Sequence, residues 1–370
     1  MDYFDKYSSN TLASSGNQFY FNANKGNITT GRVFYKITAP GKYNYSLLFT
    51  NTVDSTYADG SQSKKDLSCG DWRIISAFAA VCTADTFNEN FLVPDNAENI
   101  NSRLDGFVAL TFNGSVGKNV APDETFCTDP VELSFETGEY LCVEITFSGG
   151  MIPYHEESLL PVFIKTEKGW NYNKRMPLPG MVGCDREVQC RIGYIGDSIT
   201  QGIGVPVNAY THWNAIFSQK FGNRLAHWNL GLGYARADDM ANGKAWANKA
   251  KHNDVLFICF GVNDILQGYS ADEIKANLEY MVRFFKNEGK RVILQTVPPF
   301  DYSDEHLTIW NQVNNFIRHE LAEHVELVFD TVTILGENGA PQKPLYGGHP
   351  NENGCALWAE KLYEICKDII

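Results

Sequence analysis

Five apolar runs dominate the second half of the chain: VQCRIGYI at 188–195, LAHWNL at 225–230, DVLFICF at 254–260, RVILQTV at 291–297 and VELVF at 325–329. Each is nearly continuous, and each is followed by enough residues for a helix. Strands of that kind must be covered on both faces, which requires a parallel sheet with helical crossovers. The connecting segments carry helix signals. Ser270 and Glu273 form a capping box, Ile274, Leu278, Met281 and Phe285 repeat at helical spacing, and Gly289 closes the element. A last amphipathic helix is expected after Gly354, with Ala356, Leu357, Leu362 and Ile365 as its apolar residues.

The first half has another rhythm. Short runs rich in aromatic and β-branched residues, such as QFYFNA at 18–23, RVFYKI at 32–37, WRIISAFAAVC at 72–82 and YLCVEITF at 140–147, alternate with Gly, Asn, Asp and Ser turns. No helical period separates them, so an antiparallel β-sandwich, jelly-roll-like, is expected. From about 150 the pattern loosens around Pro153, Pro161, Pro177 and Pro179. A chain of 370 residues suits two domains. The expected division is a β-sandwich domain with its connecting segment over 1–180 and an α/β three-layer, flavodoxin-like domain over 186–370.

In a doubly wound sheet, ligands bind beyond the carboxyl ends of the strands. The loops expected there read Gly196-Asp197-Ser198-Ile199-Thr200, then Asn229-Leu-Gly231-Leu-Gly233, then Gly261-Val262-Asn263-Asp264, with Gly347-Gly348-His349-Pro350-Asn351 near the end. Together they offer an alcohol, glycine amides, a carboxamide and an imidazole, which is the inventory for acyl transfer. Ser198 is the candidate nucleophile and His349 the candidate base. The amides of Ser198 and Gly233 and the side-chain NH2 of Asn263 are the candidate oxyanion donors, with Asp197 and Asp264 as supporting hydrogen-bond partners. Taken singly, each has a plainer reading: Ser198 suits a helix cap, His349 a packed loop, and Asn263 with Asp264 a turn.

These four blocks, in this order, resemble the SGNH, or GDSL, hydrolase superfamily over about residues 188–370. The resemblance implies that Ser198 is the nucleophile, that Gly233 and Asn263 belong to the oxyanion hole, and that His349 is the base. Two departures stand out. The glycine of the second block usually lies five residues after the Asn, where this chain has Tyr234, with Gly233 one earlier. The family also places an Asp three residues before the histidine, and that position is Tyr346. Either a backbone carbonyl orients His349, giving a Ser-His dyad, or Asp330, Glu337 or Glu352 substitutes; the dyad is preferred because no acid sits at the usual offset. The dyad and the preceding β-domain are similar to family 2 carbohydrate esterases, which implies an O-acetylated oligosaccharide substrate. A lipolytic esterase or thioesterase of the same superfamily, and an inactive carbohydrate-binding protein, are the alternatives.

Other features narrow the class. A formal net charge of −13 with no Lys/Arg cluster argues against nucleic acid as a partner. No run approaches a membrane span. MDYFDKYSSN lacks the basic start of a secretory signal, so a cytoplasmic location is expected. Nine scattered cysteines without a CxxC pair read as reduced and buried, and no residue spacing calls for a metal or cofactor. Tyr210 and Trp213 are expected in the core rather than on a sugar platform. GLGYAR at 231–236 is not a dinucleotide loop, because its last position is Arg236.

Overall fold

The computed structural model describes residues 2–23, 28–57, 63–83, 106–336, 340–343 and 345–370. The chain divides into two compact units. The first comprises Met1–Val53 and Leu67–Glu187, and the second Val188–Ile370 together with Asp54–Asp66. The expected division was continuous; this short segment groups instead with the later half of the sequence.

The first unit is built of antiparallel sheets, the class its alternating runs predict. One has five strands, with Gly41–Thr50 pairing Met181–Cys184 and Val131–Phe135. Another, among the described residues, has seven, centred on Tyr140–Gly149 between Thr29–Lys36 and Trp72–Cys82. Burial along Trp72–Cys82 largely alternates, as expected for a strand with one face against a core. Phe34, Ala80, Cys142, Phe163 and Trp170 form part of that core. Arg32 also lies in it, tied to Glu144 at 2.6 Å and 4.4 Å from the Trp170 ring centroid, so its charge is paired and its stem packed.

The second unit contains the parallel sheet. Its strands are β1 (Cys190–Gly196), β2 (Leu225–Asn229), β3 (Val255–Cys259), β4 (Arg291–Gln295) and β5 (Leu327–Phe329), in spatial order β2-β1-β3-β4-β5. That order reverses direction at β1, and the ends of β1 and β3 flank the switch point where α/β sheets bind ligands. Strands β2 and β3 are buried along their whole length, as near-continuous apolar runs require.

The helices follow their caps. The longest runs from Ala271 to Asn287, begins at the Ser270–Glu273 capping box and is followed by Gly289 at φ 72°. Ile274, Leu278, Met281 and Phe285 all face inward. The last helix, Glu352–Cys366, corrects the expected pattern. Leu357 is 37% and Ile365 49% exposed, and Ala356 is also exposed, while Cys355, Trp358, Ala359, Leu362 and Cys366 are buried. Of the four expected apolar residues Leu362 faces inward, and Trp358, Ala359 and two thiols complete the stripe. Trp358 stacks on Trp213 at 4.9 Å and 6°, which fixes the helix over the sheet. All nine cysteines are free thiols, eight of them buried. No helix among the described residues is long and apolar enough to cross a membrane.

Candidate active site

At the end of β1 the chain turns into a single helical turn, Ser198–Gln201, with Ser198 as its first residue. A helix of four residues cannot hold itself, because it closes too few internal hydrogen bonds to offset nucleation and leaves its end groups orphaned. Side chains supply the partners. Asp197 accepts from the Ile199 amide at 2.9 Å, and Trp213 Nε1 donates to the Ile199 carbonyl at 3.2 Å. Asn214 donates to the Thr200 carbonyl at 2.6 Å, and Asn229 to the same oxygen at 3.1 Å. Gly202, at φ 114°, lets the chain leave in a left-handed turn, with its own amide and that of Ile203 donating to the Ser198 carbonyl at 3.0 and 2.9 Å. The Ser198 hydroxyl therefore sits on a fixed backbone. Asp197 is buried, and burial pushes its carboxyl up to about 7 against the pull of the Ile199 amide.

His349 occupies a tight loop. Tyr346 and Pro350 form an antiparallel bridge, the Gly347 amide donates to the His349 carbonyl at 2.9 Å, and Gly348 is left-handed at φ 83°. Asn351 then caps the last helix by accepting from the Gly354 amide at 3.0 Å. The result places His349 Nε2 at 2.8 Å from Ser198 Oγ, across 151 residues of sequence. Burial lowers the imidazole pKa below its usual 6.5, so the ring is neutral at pH 7 and Nε2 can take a proton. The Phe300 ring meets it edge-on at 6.0 Å.

The candidate acids are engaged elsewhere or lie outside the described residues. Burial alone would raise the Asp330 carboxyl, but Arg318, donating at 2.8 and 3.0 Å, holds it below its usual value. Glu352 accepts from Thr211 Oγ1 at 2.9 Å. Glu337 falls outside the described residues. Tyr346, at the family's acid position, is buried, and its hydroxyl has no hydrogen-bond partner among the described residues. Nor does any described residue accept a hydrogen bond from His349 Nδ1.

The expected donors divide. Among the described residues no acceptor takes the Ser198 amide. Asn263 lies in the short helix Val262–Leu266 after β3 and spends one side-chain hydrogen on the Ala235 carbonyl at 3.0 Å, leaving a second. Gly233 is a correction: its amide donates to Gln201 Oε1 at 2.5 Å and is consumed within the scaffold. The physical reason is the buried Gln201 side chain, whose oxygen takes that hydrogen; one residue on, Tyr234 has a left-handed backbone, φ 61°, of the kind glycine adopts without strain. Asp264 is fully buried and accepts from the Ala237 amide with both oxygens, at 3.0 and 3.1 Å; burial pushes its carboxyl up to about 7. Tyr210 and Trp213 are buried, as expected. The roles of Gln201, Asn214 and Asn229 as scaffold were not anticipated; only the Asn at the end of β2 hinted at one.

Residues 194–357 match the GDSL-like Lipase/Acylhydrolase family. Ser198, Gly233, Asn263 and His349 all fall inside this GDSL-like span, which ends within the last helix. Solved structures similar to the chain include a member of the lipolytic protein G-D-S-L family from Veillonella parvula, 27% identical with a TM-score of 0.42, covering 48% of this chain and 98% of that one. A psychrotrophic esterase, EstA, from Pseudoalteromonas sp. is 15% identical with a TM-score of 0.40, covering 48% and 97%. A mutant of an acetyl-xylooligosaccharide esterase from Geobacillus Stearmophilus is 20% identical with a TM-score of 0.40, covering 48% and 94%. No curated protein in the comparison matches the chain.

Proposed function

We propose that the second unit is a serine esterase that removes O-acetyl groups from carbohydrates, working with a Ser-His dyad. The observation that carries the reading is the 2.8 Å approach of Ser198 Oγ to the neutral His349 imidazole. A serine hydroxyl is a weak nucleophile until a base removes its proton as the bond forms. Ser198 Oγ attacks the ester carbonyl carbon and its proton passes to His349 Nε2. The oxyanion is received by the Ser198 amide and the second side-chain hydrogen of Asn263. The tetrahedral intermediate collapses as His349 returns the proton to the leaving sugar oxygen, giving acyl-Ser198 and a free hydroxyl. Water then attacks the acyl carbon with His349 again as base, releasing acetate and restoring the serine. The engagement of Asp330 by Arg318 and of Glu352 by Thr211 supports the dyad over a triad. The acetyl-carbohydrate preference rests on the resemblance to family 2 carbohydrate esterases in domain order and in the missing acid.

The test is acyl-chain profiling on nitrophenyl esters, followed by mass spectrometry of acetylated oligosaccharides before and after incubation. Acetate should be preferred and acetyl groups lost, with Ser198→Ala slower by at least about a thousandfold. A preference for butyrate or longer would make the protein a lipolytic esterase or thioesterase. Equal, negligible rates for wild type and Ser198→Ala would leave a binding protein.

A further inference from the structure

The second unit takes in Asp54–Asp66, a segment from the first half of the sequence. Asp54 and Ser55 belong to the strand Thr52–Tyr57 and are 0% and 1% exposed. Asp54 accepts two hydrogen bonds from Lys249 Nζ, at 2.7 and 2.6 Å, and both partners are buried. Ser55 Oγ donates to Asp239 Oδ2 at 3.0 Å, and Asp239 too is fully buried. The same Asp239 oxygen accepts from the Arg236 amide at 2.9 Å. Around it the Ala235 carbonyl is held by Asn263 and the Ala237 amide by Asp264, while the Arg236 guanidinium reaches Gln267 at 2.5 Å and Asp239 Oδ1 at 3.3 Å. Ala235 and Arg236 join the Gly231–Tyr234 loop to the helix Ala237–Asn242, and the Ala235 carbonyl is the group on which the Asn263 carboxamide is set.

We propose that Ser55 and Asp54 are positioning residues of the hydrolase site: Ser55 orients Asp239, Asp54 anchors Ser55 through Lys249, and together they fix the Ala235–Ala237 backbone that aims Asn263. The inference rests on the esterase reading for its kinetic consequence but not for its structural one. Without the Ser55 hydroxyl, Asp239 Oδ2 loses a donor while the Arg236 guanidinium still pairs with Oδ1 at 3.3 Å, so the carboxylate is held from one side and the Arg236 amide it caps loosens. The carbonyl that fixes Asn263 then moves. Misplacement of a transition-state donor lowers kcat and leaves ground-state binding, and so KM, largely alone.

The test uses the full chain with Ser55→Ala, Ser55→Thr and Asp54→Asn. Hydrogen exchange at the Arg236 and Ala237 amides should quicken at least about tenfold in Ser55→Ala. Turnover of nitrophenyl acetate should fall about fivefold or more in kcat, with KM within about twofold. Ser55→Thr keeps the hydroxyl and should restore both; Asp54→Asn should weaken both further, and if it does not fold, Ser55→Ala still decides. Unchanged exchange at 236 and 237, or unchanged kcat where wild type turns over, overturns the proposal. A wild type without turnover would sink the esterase reading instead, and exchange at the two amides would then decide this one.

Discussion

Arg318 grips the Asp330 carboxylate with two hydrogen bonds, at 2.8 and 3.0 Å, while Thr296 and the Val332 amide donate to the same group at 3.1 Å each. A carboxylate so occupied is structural. Asp330→Ala should change kcat/KM by less than about tenfold, whereas loss of a true triad acid costs about four orders of magnitude. The pair is partly exposed, so the stability loss should stay near 1 kcal/mol. Steady-state kinetics and urea unfolding check both; a thousandfold kinetic loss would make Asp330 the third member of a triad.

The pH profile follows from His349. Its pKa is lowered by burial, and the base must be neutral, so kcat/KM should climb with pH through a midpoint below 6.5. Stability carries an opposing pair of terms. Between the lowered His349 value and 6.5 the unfolded chain binds more protons than the folded one, so this group makes stability rise with pH there. Asp197 and Asp264 titrate near 7 instead of 3.8, so between those values the folded state binds the extra protons, and their contribution falls as pH rises from about 4 to 7. Asp197→Asn and Asp264→Asn should therefore flatten the decline in melting temperature between about pH 4 and 7. Equal slopes in wild type and both variants would contradict it.

Asn263→Ala removes a carboxamide whose remaining hydrogen is assigned to the oxyanion. The expected loss is about a hundred- to a thousandfold in kcat with KM little changed. A rise in KM at constant kcat would place Asn263 in substrate binding instead.

The Asp54–Lys249 pair is buried on both sides, at 0% and 6% exposure. Asp54→Ala leaves an ammonium without its counter-charge and should cost about 3–5 kcal/mol in urea unfolding. Replacing both residues with apolar ones, Asp54→Leu with Lys249→Met, should recover much of that. A single mutant as stable as wild type would show that water reaches Lys249.

The sheet and the nucleophile loop were legible because an apolar run ending in Gly-Asp-Ser is a local signal, and β1 does end at Gly196. The loop after β2 was legible as a segment, but not which of its groups are engaged: spacing pointed to Gly233, and its amide is taken by the Gln201 side chain, a contact no local pattern reveals. The last helix was placed correctly while its inward face was misread, since Leu357 and Ile365 outrank Cys355 and Cys366 on hydropathy but sit on the far side of the helix. Asp54 carried no signal at all. Periodicity describes a strand and its neighbours, not the lysine 195 residues away that it meets.

That separation also sets an order of events during synthesis. At about 5–20 residues per second, a ribosome makes Lys249 some 10–40 s after Asp54. For that interval the early strand has no salt-bridge partner, and a chaperone or a neighbouring nascent chain can compete for it. Slowed elongation between the two codons should therefore lower the yield of folded protein without altering any residue of it.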